Sequence, residues 1–165
     1  MPLSSKPELT SNSSPAHGKA CRKKALDLLA RREHSRLELQ RKLSARAYSR
    51  DIIDGVLDDL EVEGLLEEAR FVESFIRARI GKGQGPTRIQ ADLIQRGIAK
   101  ANIQTGLVDV RQDWGRLASG VRCKRFGVTG PREFSERVRQ MRFLQYRGFD
   151  RDQIDMALDL AADSD

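Results

Sequence analysis

The sequence carries one pattern three times, at intervals of about fifty residues. In each copy a Leu is followed three residues later by Arg, then by a small residue and an apolar residue, and two more apolar positions recur at matching offsets. The copies occupy residues 43–57, 93–107 and 144–158. A fixed period of this size is typical of tandem supersecondary units. We therefore expect an array, which presents long surfaces to other macromolecules, and not one compact globule.

The composition favours several thin cores over one thick core. Apolar residues make up 39% of the 165 residues and charged residues 33%, whereas globular chains usually contain about 45–50% apolar residues. From residue 18 onward the apolar positions follow a helical period, and no segment alternates as a strand would. The sequence predicts an all-α chain of nine helices in three units of three.

The predicted boundaries follow the change in composition and the repeat. Residues 1–17 are rich in Ser and Pro, so we expect a disordered tail there. Residues 18–65, 66–111 and 112–165 are expected to form the first, second and third helical repeats.

Several local signals predict where helices begin. Ser35 and Glu38 have the spacing of a capping box, and Asp150 and Gln153 resemble a second one. A proline at the first helical position predicts two further starts, at Pro86 and Pro131.

The recurring turn is predicted to reverse the chain between two helices. Gly97 and Gly148 can adopt the positive φ that ends a helix. Ala47 takes the matching place in the first copy, and a side chain makes that conformation costly. We expect the first turn to differ and to lack a Schellman-type closure.

Two helices joined by a Gly turn also describe a helix-turn-helix DNA reader. After the second turn, Lys100, Asn102 and Gln104 could reach base edges. After the third turn, Asp150 and Asp152 would repel phosphates. This pattern favours structural hairpins over three tandem sequence readers.

Charge alternates along the chain in blocks. The net charge is +5 for residues 31–50, −8 for 51–73, +5 for 77–100, +7 for 116–147 and −5 for 150–165, within a total of +6. A single run is usually a solvated helix face, but five alternating blocks on a repeat array favour a surface with a basic stripe. Such a surface attracts a partner that contains both phosphates and protein.

Motifs for catalysis are missing from the sequence. It contains no phosphate-binding loop, dinucleotide fingerprint or nucleophile elbow. The two cysteines, Cys21 and Cys123, and the two histidines lack the spacing of metal ligands. We expect no enzyme activity, no cofactor and no metal. Because no apolar run approaches the ~18 residues of a membrane span and no secretory signal is visible, we expect a cytoplasmic protein with no membrane partner.

The motifs in residues 35–43, 65–71, 83–98 and 143–149 together resemble the bacterial RecX family, in family order and spacing. The resemblance covers about residues 20–160. The sequence departs from the family pattern at two places. Ala47 stands where the later copies have Gly, and the acidic pair is Glu67-Glu68, whereas family members often have an Asp in that pair.

The resemblance implies three tandem three-helix repeats in an elongated, curved array. It also implies a regulator of the RecA recombinase that lies in the groove of the RecA–DNA filament, bridges RecA subunits, and lowers strand exchange, ATPase and co-protease activity in recombinational repair and the SOS response. Some family members bind single- or double-stranded DNA themselves. We expect a monomer.

The basic residues of the second and third repeats are the predicted contacts with phosphates or acidic RecA loops: Arg77, Arg79, Lys82, Arg88, Arg96, Arg122, Lys124, Arg125, Arg132 and Arg139. Arg46, Arg96 and Arg147 recur at one position, where the alternative is a contact with a helix C-terminus. Two other functions stay open: a DNA-binding protein that competes for nucleic acid, and a helical scaffold for an unrelated partner.

Overall fold

The computed structural model describes residues 15–162, without the side chains of residues 160–162. Over this range the chain contains α-helices and no strand, which confirms the all-α prediction. The helices are α1 (Pro15–Leu29), α2 (Arg36–Ser44), α3 (Arg50–Val62), α4 (Glu68–Gly81), α5 (Pro86–Ile94), α6 (Lys100–Asp109), α7 (Trp114–Phe126), α8 (Phe134–Tyr146) and α9 (Arg151–Ala162).

The helices enclose three separate apolar cores, as the composition predicts. Repeat 1 (α1–α3) buries Leu39, Leu43 and Leu57, repeat 2 (α4–α6) buries Phe71 and Ile103, and repeat 3 (α7–α9) has its own cluster. The chain divides into two compact units: the first ends at Glu67, and the second, which contains repeats 2 and 3, begins at Glu68. The elongation and curvature of the array stay predictions.

The predicted ends of the repeats fall between helices, at residues 63–67 and 110–113. Residues 1–14 of the predicted tail lie outside the described residues. Its last three residues, 15–17, belong to α1, so the tail prediction is wrong for them. Trp114, the first residue of α7, is partly buried and packs against the core of repeat 2.

Helix starts follow the predicted caps in most places. The Ser35 hydroxyl accepts a hydrogen bond from the Glu38 N–H at 3.1 Å, and Asp150 and Gln153 form the same reciprocal pair. Pro86 opens α5. The start at Pro131 is wrong, because α8 begins at Phe134.

The three recurring turns share their backbone conformation. The φ angles are 62° at Ala47, 83° at Gly97 and 92° at Gly148, so the expected conformational difference at Ala47 is wrong. The prediction that the first turn lacks a Schellman-type closure is confirmed within residues 15–162. The N–H five residues after Leu93 and after Leu144 donates back to that Leu carbonyl at 3.2 Å, and the first turn lacks this bond.

A backbone joint connects repeats 2 and 3 within the second unit. The N–H groups of Gly85 and Thr87, at the start of α5, donate to the carbonyls of Arg147 and Gly148, at the end of α8, at 2.8 and 3.1 Å. A side chain at Gly85 would collide with the Gly148 carbonyl. The unpaired donors at one helix start thus satisfy the unpaired acceptors at another helix end.

Candidate anion-binding groove

The three recurring arginines have two different roles. Arg46 donates to the Lys42 carbonyl and Arg96 to the Asp92 carbonyl, each at 2.6 Å and each within the last turn of its own helix. Arg46 and Arg96 thus contact the C-terminal ends of helices, which was the alternative to a partner contact in the sequence analysis. Arg147 instead reaches out of repeat 3 and donates to the Lys82 carbonyl at 2.9 Å.

In repeat 1 the basic and acidic helices pair with each other. Arg36 of α2 contacts Asp58 at 2.7 Å and Glu61 at 2.8 Å, both on α3. Arg22 of α1 contacts Glu63 at 2.6 Å. Much of the positive charge of repeat 1 is therefore compensated inside the repeat.

Repeat 3 holds arginines against phenylalanine rings. The guanidinium groups of Arg125 and Arg139 lie 5.8 and 5.4 Å from the centre of the Phe126 ring, and that of Arg147 lies 5.2 Å from the Phe143 ring. The two rings meet edge to face, 5.2 Å apart. Cation–π attraction favours positions of guanidinium groups over such rings.

Two adjoining surface depressions follow these rings. One, of about 400 Å³, is lined by Arg125, Phe126, Arg139 and Phe143. The other, of about 270 Å³, shares Arg125 and Phe143 with it. Its remaining lining residues are Gly81, Lys82, Gly83, Val121, Lys124 and Arg147. We call the two depressions together the cationic groove.

The cationic groove is electrostatically unbalanced. No carboxylate is among its lining residues. Over residues 15–159, whose side chains are described, Lys82, Lys124, Arg125 and Arg139 form no ion pair with Asp or Glu. Arginine forks and lysine ammonium groups without internal partners are the donors that bind phosphate or carboxylate oxygens.

The structure brings four of the ten predicted contact residues into this groove: Lys82, Lys124, Arg125 and Arg139. Arg77 pairs with Glu73 on α4. Arg79 lies 3.5 Å from Asp92, and it shares the Phe75 ring with Arg96.

Two more of the predicted contact residues, Arg88 and Arg132, lie outside the groove lining. Arg88 donates to the Tyr146 carbonyl at 3.2 Å, at the joint between repeats 2 and 3. Arg132 is exposed in the segment between α7 and α8.

The prediction for Arg122 is wrong. Its side chain is fully buried and donates to the carbonyls of Gly127, Val128 and Thr129. It also donates to the Gln140 side chain. Arg122 follows Ala118 by one helical turn, as the buried Ile76 follows Val72 in α4, so it takes a core position and cannot contact a partner.

Among the lining residues that sequence reasoning missed, three make the ring and arginine contacts: Phe126, Phe143 and Arg147. The repeat pattern identified Arg147 as a recurring arginine. Because Arg46 and Arg96 occupy the same position in their copies, the pattern could not show that Arg147 makes a different contact. No sequence signal links Phe126 to Phe143, because only the packing of α7 on α8 brings the two rings together.

Three family models match the chain in order. They describe the first three-helix domain of RecX at residues 21–60, the second at residues 68–107 and the third at residues 116–158. The matches cover most of the sequence and each falls on one of the three repeats.

Named relatives and solved structures agree with these matches. The regulatory protein RecX of Pseudomonas putida strain F1 is 49% identical over 135 residues, 82% of this chain and 86% of that protein. That of Halorhodospira halophila is 47% identical over 150 residues, 91% and 92% of the two chains. The crystal structure of RecX from Lactobacillus salivarius superposes with a TM-score of 0.74 at 20% identity, covering 90% of this chain and 97% of that one, and supports the fold. None of the described helices could cross a membrane.

Proposed function

The chain belongs to the RecX family of regulatory proteins, and from this membership we propose that it binds the RecA–DNA filament and lowers RecA activity. On this proposal the protein acts in the cytoplasm, by binding and without a catalytic step, as a monomer. The affected activities are strand exchange, ATP hydrolysis and co-protease function.

One observation carries the proposal: the cationic groove has no internal counter-charge. A filament presents acidic protein groups and DNA phosphates together, so an uncompensated groove gains electrostatic attraction from it. Repeat 1, where Arg36 and Arg22 pair with acidic side chains, offers less of this attraction. We therefore place the main contact on the second unit.

The test compares two variants with equal charge change. The groove variant carries Lys124→Glu, Arg125→Glu and Arg139→Glu. The control carries Lys19→Glu, Lys23→Glu and Arg31→Glu, which are exposed in repeat 1. Wild type should inhibit DNA-dependent ATP hydrolysis and strand exchange by RecA, and the groove variant should need about tenfold more protein for half inhibition, equivalent to about 1.4 kcal/mol. Equal inhibition by all three proteins would show that the groove does not make the contact, and absence of inhibition by the wild type would sink the proposal.

A second candidate function is competition with RecA for DNA. The same groove supports it, because lysine and arginine without carboxylates bind phosphates of free DNA as well. Order of addition separates the two functions. Inhibition of preformed filaments, without release of RecA, supports filament binding, whereas inhibition only when the protein meets DNA before RecA supports competition.

A further inference from the structure

We infer that Cys123 is a site of reversible oxidation, at which a hydroperoxide such as hydrogen peroxide converts the thiol to a sulfenic acid that Arg122 stabilises. This inference is independent of the proposed function, because it needs no macromolecular partner. It depends on three features of repeat 3: the accessibility of Cys123, the guanidinium group beside its sulfur, and an N–H of that guanidinium that has no acceptor.

The two cysteines of the chain differ in accessibility. Cys123, near the end of α7, is partly exposed, whereas Cys21 of α1 is fully buried. Burial also raises the pKa of the Cys21 thiol. A cysteine reacts through its thiolate, and only where a reagent can reach the sulfur. Cys21 therefore serves as an unreactive reference within the same protein.

A buried positive charge lies against the sulfur of Cys123. Nη2 of Arg122 is 3.3 Å from the Cys123 Sγ. Arg122 is fully buried, and over residues 15–159 no Asp or Glu forms an ion pair with it. Its other acceptors are neutral: three backbone carbonyls and the Gln140 amide oxygen. A buried cation without a counter-charge is costly, so it stabilises negative charge on the sulfur when the sulfur acts as a nucleophile.

The same guanidinium group offers a donor to the oxidised product. Among the residues that the structure describes, none accepts a hydrogen bond from the buried Nε–H of Arg122. In a planar guanidinium group this N–H lies on the same edge as Nη2, the atom that contacts the sulfur. An oxygen added to the Cys123 sulfur accepts from this edge and satisfies a donor whose burial without a partner is costly.

The reaction is a two-electron oxidation of the sulfur. The sulfur attacks one oxygen of hydrogen peroxide, the S–O bond forms as the O–O bond breaks, and the leaving hydroxide takes the thiol proton to become water. A small thiol reverses the step by displacing water from the sulfenic acid to form a mixed disulfide. A second molecule of the small thiol then releases the Cys123 thiol and leaves as the small disulfide.

The experiment treats the folded full chain with hydrogen peroxide at pH 7 and traps sulfenic acid with excess dimedone. Peptide mass spectrometry then quantifies the adduct on each cysteine. The reference is a synthetic peptide of residues 119–127, which keeps the sequence neighbours of Cys123 but lacks the packing of repeat 3. In the folded chain Cys123 should react about fivefold faster than in the peptide and at least about tenfold faster than Cys21. A rate no higher than that of the peptide, or equal labelling of the two cysteines, would overturn the inference.

A variant that keeps Arg122 tests the role of its uncompensated charge. Gln140→Glu puts a carboxylate where the amide oxygen now accepts from Arg122 at 3.2 Å, so the guanidinium gains a counter-charge and the oxidation rate of Cys123 should fall about fivefold. Gln145→Glu, at an exposed position of the same helix, is the matched control and should keep the wild-type rate. Circular dichroism checks that both variants are folded. An equal rate in the two variants would show that Arg122 does not activate the sulfur.

Arg122→Lys tests the donor to the product, because lysine keeps the positive charge but lacks the planar edge. Peroxide is removed with catalase, and dimedone is added after increasing delays. The sulfenic acid should disappear about threefold faster in this variant than in the wild type. An equal lifetime in a folded variant would overturn the role of the Nε–H. If the variant does not fold, the lifetime is compared between the Gln140→Glu and Gln145→Glu chains, where it should be shorter in Gln140→Glu, and equal lifetimes there count against Arg122.

Discussion

Arg122 holds the segment between α7 and α8 from inside repeat 3. It is fully buried and donates to three successive carbonyls, those of Gly127, Val128 and Thr129. These carbonyls face a buried cation, although their own residues are exposed. The side chain thus takes the place of a core aliphatic residue while ordering the segment that follows α7.

Replacing Arg122 by Ala should lower the free energy of unfolding by about 3 kcal/mol, because charged hydrogen bonds are lost and a cavity is left. Urea unfolding followed through Trp114, the single Trp of the chain, measures this effect. The matched control is Arg125→Ala in the same helix, where the side chain is exposed and the change should stay within about 0.5 kcal/mol. Equal stability of the two variants would refute this role.

His34 makes repeat 1 sensitive to pH. Burial lowers the pKa of His34, and its hydrogen bond with the Arg32 carbonyl opposes that shift. The folded state therefore binds this proton less readily than the unfolded state does. Stability from His34 is complete above the unfolded pKa of about 6.5 and is lost as pH falls from there toward the lower folded pKa.

Urea unfolding followed by circular dichroism at pH 7.5 and 5.5 tests this effect. The wild type should lose more unfolding free energy on acidification than His34→Gln does. Glu38, whose pKa is lowered, titrates below this window in both proteins and does not distinguish them. An equal loss in wild type and variant would show that His34 does not carry the pH dependence.

At the scale of elements, repeats 2 and 3 are coupled by helix ends. The start of α5 donates to the end of α8, and the close approach at Gly85 leaves no room for a side chain. The φ and ψ angles of Gly85, −84° and 167°, are open to any residue. A substitution there tests the contact between repeats and not backbone strain.

Gly85→Ala should destabilise the second unit by about 2 kcal/mol, because the new Cβ meets backbone that cannot move aside. Gly120→Ala is the matched control. Gly120 lies on α7 with open space around its Cα, so Ala should stabilise the helix by about 0.5–1 kcal/mol. Urea unfolding followed through Trp114 measures both variants, and a neutral Gly85→Ala would contradict the tight joint.

Helix number and order could be read from the sequence, because period, caps and turn residues are local signals. The capping pair at Ser35 and Glu38 and the proline at the start of α5 are examples. The joint could not be predicted, since the approach of Gly85 to Gly148 depends on how two repeats pack. At Ala47 the residue type gave the wrong prediction. The turn has a positive φ there, although the intrinsic preference of Ala opposes that conformation.

For the whole molecule, the alternating charge blocks predicted a basic surface but not its location. Repeat 1 cancels much of its charge through Arg36 and Arg22. The cationic groove does not, and it gathers only four of the ten predicted contact residues. Whether a basic side chain forms an ion pair depends on where side chains of different helices lie in space. A count of charges along the chain therefore could not distinguish the compensated charge of repeat 1 from the uncompensated charge of the cationic groove.

Equilibrium binding of the labelled full chain to RecA filaments preformed on oligo(dT) tests most directly whether the cationic groove makes the contact. Binding is compared for wild type, the variant Lys124→Glu, Arg125→Glu, Arg139→Glu, and the control Lys19→Glu, Lys23→Glu, Arg31→Glu. We expect the groove variant to bind about tenfold more weakly than the control, although both carry the same net charge. Equal weakening in the two variants would show that total charge, and not the cationic groove, governs binding.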